Sequence, residues 1–91
     1  MPVSVQIPTP LRSFAGGNKT VGVPAGDVGG ALADLVRQHP PLRQHLYTEG
    51  GDLRGFVGVY LNDDNVRDLD GPATPVAEGD TLIILPSIAG G

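Results

Sequence analysis

The chain lacks Cys and Trp, and Lys19 is its single lysine among 91 residues. The absence of Cys excludes disulfide bonds, thiolate zinc sites and cysteine nucleophiles. Positive charge is scarce as well, because six Lys and Arg stand against ten Asp and Glu, for a net charge of −4. Proteins that bind phosphate backbones carry clustered cations, so we expect no nucleic-acid partner.

Long hydrophobic runs are also missing. Runs such as Leu82–Leu85 are far too short to cross a bilayer. The first residues, 1–6, show neither the basic nor the apolar region of an export signal. We therefore predict a cytoplasmic protein without a membrane partner.

Gly and Pro, by contrast, are abundant. The chain has 14 Gly and 9 Pro, but 40% of its residues are hydrophobic, more than disordered chains carry. The length allows one hydrophobic core. We predict one domain over residues 1–86, followed by a flexible tail over residues 87–91.

The first half of the chain predicts a hairpin and then a helix. Apolar residues alternate with polar ones from Val3 to Ile7, which is typical of a half-buried strand. A turn over 13–18 leads to a return strand over 19–23. Asp27 is suited to cap a helix, whose apolar positions recur at helical spacing until His39–Pro41 ends it. Those positions are Val28, Ala31, Leu32, Leu35 and Val36, and Leu42 and Leu46 predict one further turn.

The second half predicts three more strands. They cover 56–61, a short partner at 66–68 after a turn at 62–65, and 81–85, which Pro86 stops. The resulting order, β-β-α-β-β-β, predicts an α+β fold. In it, one main helix packs on one face of a mixed sheet of four to five strands, the β-grasp or ubiquitin-like roll.

No cluster of polar residues matches a catalytic or metal-binding pattern. The acids at 63, 64, 68 and 70 lack the Gly and Glu spacing of a calcium loop, and residues 16–20 lack that of a phosphate loop. His39 and His45 have no carboxylate at ligand spacing, and we predict both at the surface. We expect no enzymatic activity, no bound cofactor and no bound metal.

The segment Ser87–Gly91 offers a different chemistry. Small residues can enter a narrow channel, because glycine permits close backbone approach. The terminal carboxylate is ionised at neutral pH and can attack the α-phosphate of a nucleotide. The acyl-adenylate that forms is open to attack by sulfur, an amine or a thiol, so the tail is suited to be a carried substrate.

These features resemble the ubiquitin-like sulfur carriers of the ThiS/MoaD superfamily, most closely the CysO-like branch used in cysteine biosynthesis. The resemblance covers nearly the whole chain and is most specific over 78–81 and 84–91. Its other landmarks are Pro8-Thr9, Leu11-Arg12, Gly16-Gly17, Phe56-Val57, Tyr60 to Asp63, and Val66-Arg67.

The resemblance implies a cycle of reactions at Gly91. A ubiquitin-activating-like enzyme would adenylate its carboxylate with ATP and magnesium, and sulfur would displace AMP to give a thiocarboxylate. In the cysteine branch, a pyridoxal-phosphate-dependent cysteine synthase takes the sulfur onto an activated serine, and a metalloprotease releases the cysteine. Because the chain ends in Gly-Gly, we expect no trimming step. The residues implied to thread into the partner are Gly90, Ala89, Ile88 and Ser87.

Other roles remain open at this point. The small subunit of molybdopterin synthase, which acts with the large subunit of that enzyme, uses the same kind of tail, as do other sulfur-transfer pathways. A ubiquitin-like modifier would form isopeptide bonds through Gly91. A simple interaction module would not need its last two glycines.

Strand alternation predicts an apolar surface on the sheet face away from the helix. We call it the outer patch, and it consists of Phe56, Tyr60, Ile83 and Leu85. Exposed apolar patches commonly mark protein interfaces, and the resemblance implies that partner enzymes bind this face. The alternative is that a loop or a second copy of the chain covers it.

Overall fold

The fold begins with the predicted hairpin in the computed structural model, which describes residues 2–51 and 57–86. Strand β1 spans Val3–Gln6, and strand β2 spans Thr20–Val23. The two are antiparallel, with Val5 opposite Val21. Both of these valines are buried, so the hairpin contributes one face to the core.

The connection between β1 and β2 is more regular than predicted. Residues Thr9–Ala15 form a 3-10 helix that buries Leu11 and Ala15, and only the last part of the expected turn over 13–18 remains a turn. Gly16 ends this helix with a left-handed φ of 68°. The expected start of the turn was wrong because burial of two apolar residues four positions apart favours a helical turn there.

Helix α1 spans Val28–Gln38 and begins where predicted. The side chain of Asp27 accepts a hydrogen bond from the backbone N–H of Gly30 at 2.7 Å, which satisfies one of the helix's unpaired donors. The helix ends before His39, as the following prolines require. The predicted apolar positions Val28, Ala31, Leu32 and Leu35 are buried, and Val36 is partly buried against the core.

A second, short helix follows through Pro40–Leu42, which forms a 3-10 turn, into α2 at Arg43–Leu46. Leu42 and Leu46 are both fully buried, as predicted. The expectation that His45 lies at the surface was wrong. The helical turn directs its ring onto Phe14, with ring centroids 4.1 Å apart, and buries Nε2 without a hydrogen-bond partner among the described residues.

Strands β4 and β5 form a tight hairpin. Strand β4 spans Val57–Leu61 and pairs antiparallel with β5 at Asp64–Asn65. Asn62 adopts a left-handed φ of 55°, a conformation that Asn tolerates better than most residues. The turn therefore needs only residues 62 and 63, and strand pairing resumes at once.

The short strand predicted at Val66–Asp68 was wrong. That stretch is a 3-10 helix, and the partner of β4 lies two residues earlier, in β5. The side chain of Asn65 accepts a hydrogen bond from the backbone N–H of Arg67 at 2.9 Å. This cap turns the chain into the helix and ends the strand.

Strand β7 spans Thr81–Pro86 and lies at the centre of the main sheet. The strand order is β2-β1-β7-β4-β5, with β7 parallel to β1 and antiparallel to β4. The α+β architecture, a mixed five-stranded sheet with one main helix, is therefore confirmed. Pro86 still pairs with Val57, so the strand runs one residue further than predicted.

A second, two-stranded sheet fixes the start of α1. Strand β3 at Gly26–Asp27 pairs antiparallel with β6 at Pro75–Val76. Next to it, the backbone N–H of Val28 donates to the carbonyl of Thr74 at 2.9 Å. This sheet was not predicted, because two-residue strands are too short to show a periodicity.

Loss of the Asp27 cap should weaken the fold by a definite amount. We expect Asp27→Ala to lower the free energy of unfolding by about 1 kcal/mol, because the Gly30 N–H loses its acceptor. Asp27→Asn keeps an acceptor, so its free energy of unfolding should stay within about 0.5 kcal/mol of that of the original chain. Urea denaturation measures both, and equal losses in the two variants would contradict the capping role.

Candidate functional site

Three of the four residues of the outer patch are described by the structure, and they lie together on the main sheet. Tyr60 of β4 lies opposite Ile83 of β7, and Leu85 lies opposite Gly58. Tyr60 and Ile83 are half-buried, whereas Leu85 is 48% exposed. Phe56 lies outside the described residues.

The two faces of β7 differ as the alternation predicts. Leu82 and Ile84 are 0% and 1% exposed and belong to the core, so their neighbours Ile83 and Leu85 lie on the other face. On β4, Val57 and Val59 are buried in the same core. The orientation of the outer patch is thus fixed by the packing of its neighbours, while its part in partner binding stays a prediction.

Gly58 adds no side chain to the outer patch between Tyr60 and Leu85. A Cβ at this position would lie 3.5 Å from Cε1 of Tyr60 and 3.4 Å from the carbonyl oxygen of Leu85. The tyrosine ring therefore lies beside the bare backbone of Gly58, next to Leu85. The result is an aromatic and aliphatic surface of the kind enriched at protein interfaces.

A cleft of about 430 Å³ adjoins the outer patch on the side of β1. Ile83 and Leu85 form one of its walls, and Arg12 and Lys19 belong to its lining. Sequence reasoning did not assign these two cations to any site. They are more than sixty positions from Leu85 in the chain, and only the pairing of β1 with β7 brings them together.

Strand β7 also delivers the predicted tail. It pairs with β1 as far as Ile83 and with β4 as far as Pro86, which lies opposite Val57. The residue before the tail, Pro86, therefore lies beside β4 at the end of the outer patch. Ser87, Ile88, Ala89, Gly90 and Gly91, for which threading and covalent attachment are predicted, lie outside the described residues.

The perturbed ionisable groups lie elsewhere, on the helical side. Hydrogen bonds from Arg37, and then from Gln38, lower the pKa of Asp34, and the pairing raises the pKa of Arg37. The Gln38 amide also donates to the Gly22 carbonyl at 3.0 Å. Burial raises the pKa of Tyr47, which follows α2. Gln38 therefore ties α1 to β2, while Asp34 and Arg37 pair within α1.

The described residues hold no cluster of three His, Asp or Glu side chains that could bind a metal ion. Over the same ranges, no helix has the length and apolar character needed to cross a membrane. The acids whose spacing does not fit a calcium loop, Asp63, Asp64, Asp68 and Asp70, are all exposed.

Comparison with known proteins assigns the family. The profile of the ThiS family matches residues 5–91. The chain belongs to the ThiS family. The sulfur carrier protein CysO of Mycobacterium tuberculosis is 40% identical over 93 residues, covering 100% of both chains. The predicted resemblance is thereby confirmed.

Solved structures of relatives agree with this fold. The CysO chain in the crystal structure of the Amycolatopsis orientalis BexX/CysO complex superposes with a TM-score of 0.87 at 40% identity, covering 98% of this chain and 99% of that one. The crystal structure of SAMP1 from Haloferax volcanii gives a TM-score of 0.86 at 28% identity, with full coverage of both. The β-grasp prediction is thus confirmed.

Two neighbouring substitutions on β7 test which side chains face the core. Ile84→Ala should lower the free energy of unfolding by about 2–5 kcal/mol, because a fully buried side chain leaves a cavity. Leu85→Ala removes a half-exposed side chain and should cost less than about 1 kcal/mol. Chemical denaturation with a common m-value measures both, and a larger loss for Leu85→Ala would contradict the assignment of faces.

Proposed function

We propose that this chain is a sulfur carrier whose Gly91 carboxylate is adenylated and then converted to a thiocarboxylate that donates sulfur for cysteine synthesis. The observation that carries the proposal is the full-length match at 40% identity to a sulfur carrier protein, CysO. The family profile also extends to residue 91 and so includes the Gly-Gly end.

The proposed chemistry balances in two steps. In the activating enzyme, a carboxylate oxygen of Gly91 would bond to the α-phosphorus of ATP. The bond from that phosphorus to pyrophosphate would break, and pyrophosphate would leave as its magnesium complex. Hydrosulfide then bonds to the acyl carbon, the bond from that carbon to the adenylate oxygen breaks, AMP leaves, and loss of the S–H proton gives the thiocarboxylate. The chain itself is a co-substrate in both steps, and we place it in the cytoplasm with its ATP-dependent partner.

The geometry supports a division of labour between surface and tail. The outer patch would bind the activating enzyme, and β7 would hold the start of the tail in a fixed direction beside it. Gly90, Ala89, Ile88 and Ser87 would then thread into the enzyme's channel, where Gly residues let the backbone approach closely. The Amycolatopsis CysO was crystallised in a complex with BexX, which supports a partner enzyme for this chain.

The proposed sulfur acceptors follow from the CysO match. A pyridoxal-phosphate-dependent cysteine synthase would present an activated serine to the thiocarboxylate, and a metalloprotease would cleave the cysteine from Gly91. The alternative is transfer to a pterin precursor with the large subunit of molybdopterin synthase, or to another sulfur-transfer pathway. Both kinds of acceptor would use the same thiocarboxylate.

The intact mass of the protein tests the first reaction. With a ubiquitin-activating-like enzyme, ATP, magnesium and a sulfur source, we expect the mass to rise by the exchange of one oxygen for sulfur. Deletion of Gly91 should abolish the shift, whereas Arg43→Gln, on the exposed surface of α2, should leave it unchanged. An unchanged mass with an enzyme that activates a CysO relative would refute the proposal.

The thiocarboxylate form then identifies the acceptor. Incubated with the cysteine synthase and an activated serine, it should gain the three-carbon amino acid unit of the serine on its sulfur, while the activating group leaves. The product should then be heavier than the unmodified chain by one cysteine residue. A molybdopterin synthase large subunit with its pterin precursor serves as the parallel reaction. Sulfur loss to the pterin, with no cysteine adduct, would assign the chain to the alternative pathway.

A second candidate function is protein modification through Gly91. It is favoured by the full-length structural match to SAMP1, a small archaeal modifier protein. This role predicts adducts of higher mass on other proteins in cells that express the chain with an affinity tag. Such adducts should be stable to thiols and should disappear when Gly91 is deleted.

A further inference from the structure

The cleft beside the outer patch collects positive charge in a chain that has little of it. Its lining includes Arg12 and Lys19, two of only six Lys and Arg in the sequence. No Asp or Glu occurs among its described lining residues. A cleft with charges of one sign concentrates an attractive field for groups of the opposite sign.

The backbone of Ile7 is hydrogen-bonded to the side chain of Arg12 and to the backbone of Lys19. The Nε of Arg12 donates to the carbonyl of Ile7 at 3.1 Å. The N–H of Ile7 in turn donates to the carbonyl of Lys19 at 2.7 Å. A single residue after β1, Ile7, is thus bonded both to the arginine side chain and to the lysine backbone.

Neither charge is neutralised within the described residues. Lys19 is exposed and has no acceptor there, and Arg12 uses only its Nε–H, although a guanidinium has five N–H donors. Arg37, by comparison, is paired with Asp34. Within residues 2–51 and 57–86, the remaining donors of Arg12 and the ammonium of Lys19 thus have no acceptor.

The cleft is also continuous with the apolar surface. Ile83 and Leu85 belong both to the outer patch and to the wall of the cleft, and Pro8 adds a further apolar group. A partner seated on the outer patch must therefore pass over Arg12 and Lys19 as well. This mixture of apolar wall and cations fits a peptide segment better than a free inorganic anion.

We propose that the cleft binds an acidic segment of the adenylating enzyme, with its carboxylates on Lys19 and Arg12 and its apolar side chains on Ile83 and Leu85. This inference rests on the proposed function, since it names the surface by which that enzyme recognises the chain. The negative charge of the rest of the chain would repel an acidic partner elsewhere. The cleft thus sets the orientation in which β7 points the tail at the enzyme.

The single lysine makes a direct test possible. A zero-length carbodiimide joins an amine to a carboxylate in contact with it, with loss of one water, and Lys19 carries the only side-chain amine of the chain. In a mixture of the full chain and the adenylating enzyme, we expect a cross-linked peptide that joins Lys19 to an Asp or Glu of the enzyme. Lys19→Arg should lose this cross-link and keep the binding.

Charge variants measure the contribution to affinity. Titration calorimetry with the adenylating enzyme should show that Lys19→Glu weakens binding at least about threefold, because an attraction becomes a repulsion. Arg43→Glu reverses an exposed charge on α2 and should bind like the original chain. Binding of the original chain should also fall more steeply with added NaCl than binding of Lys19→Glu.

Each outcome bears on one of the two proposals. If the chain is thiocarboxylated but Lys19→Glu binds like Arg43→Glu and no Lys19 cross-link forms, the cleft proposal is wrong and the sulfur-carrier function stands. If the Lys19 cross-link forms but the mass never rises, the cleft proposal stands and the sulfur-carrier function is wrong. If Lys19→Glu raises the KM of the enzyme for ATP but does not weaken the complex, the cations contact nucleotide phosphates, and the proposal of an acidic segment is wrong. Absence of any complex would overturn the cleft proposal outright.

Discussion

The pairing of β7 between β1 and β4 is the constraint on which the rest of the structure depends. It joins Val5 to Leu82 in parallel and Val59 to Ile84 in antiparallel fashion, so the two ends of the chain meet at the centre of the sheet. Such distant contacts carry a large cost in loop-closure entropy. The sheet and α1 bury their apolar side chains against each other in one core, and this burial offsets that cost.

The same strand links stability to function. Because side chains alternate in a strand, every residue that β7 gives to the core has a neighbour on the outer face. Leu82 and Ile84 are buried, and Ile83 and Leu85 are available to a partner. The outer patch and the core thus share one strand backbone, so a change that disturbs the packing of Leu82 or Ile84 would also move Ile83 and Leu85.

Periodic elements could be predicted from the sequence, and elements set by single contacts could not. The alternation in β1 and the helical stripe of α1 repeat over enough residues to be recognised. Strand β5 was misplaced because one left-handed residue, Asn62, shortens the turn. The pairing of β3 with β6, and the meeting of Lys19 with Leu85, depend on tertiary packing between distant segments. The role proposed for Gly91 comes from the family resemblance, because no local pattern distinguishes its Gly-Gly end from a chance pair.

Negative and positive side chains lie at opposite ends of the strand pair β4 and β7. Asp63 and Asp64 lie at the turn that closes the β4–β5 hairpin, and Leu61, before that turn, pairs with Leu82 near the start of β7. Arg12 and Lys19 lie instead at the cleft walled by Ile83 to Leu85, toward the end from which the tail leaves. The acidic segment that we propose would therefore be repelled from one end of the outer patch and attracted to the other. Electrostatics of this kind contribute more to orientation and association rate than to affinity, which is what a carrier needs if it must release its partner after each transfer.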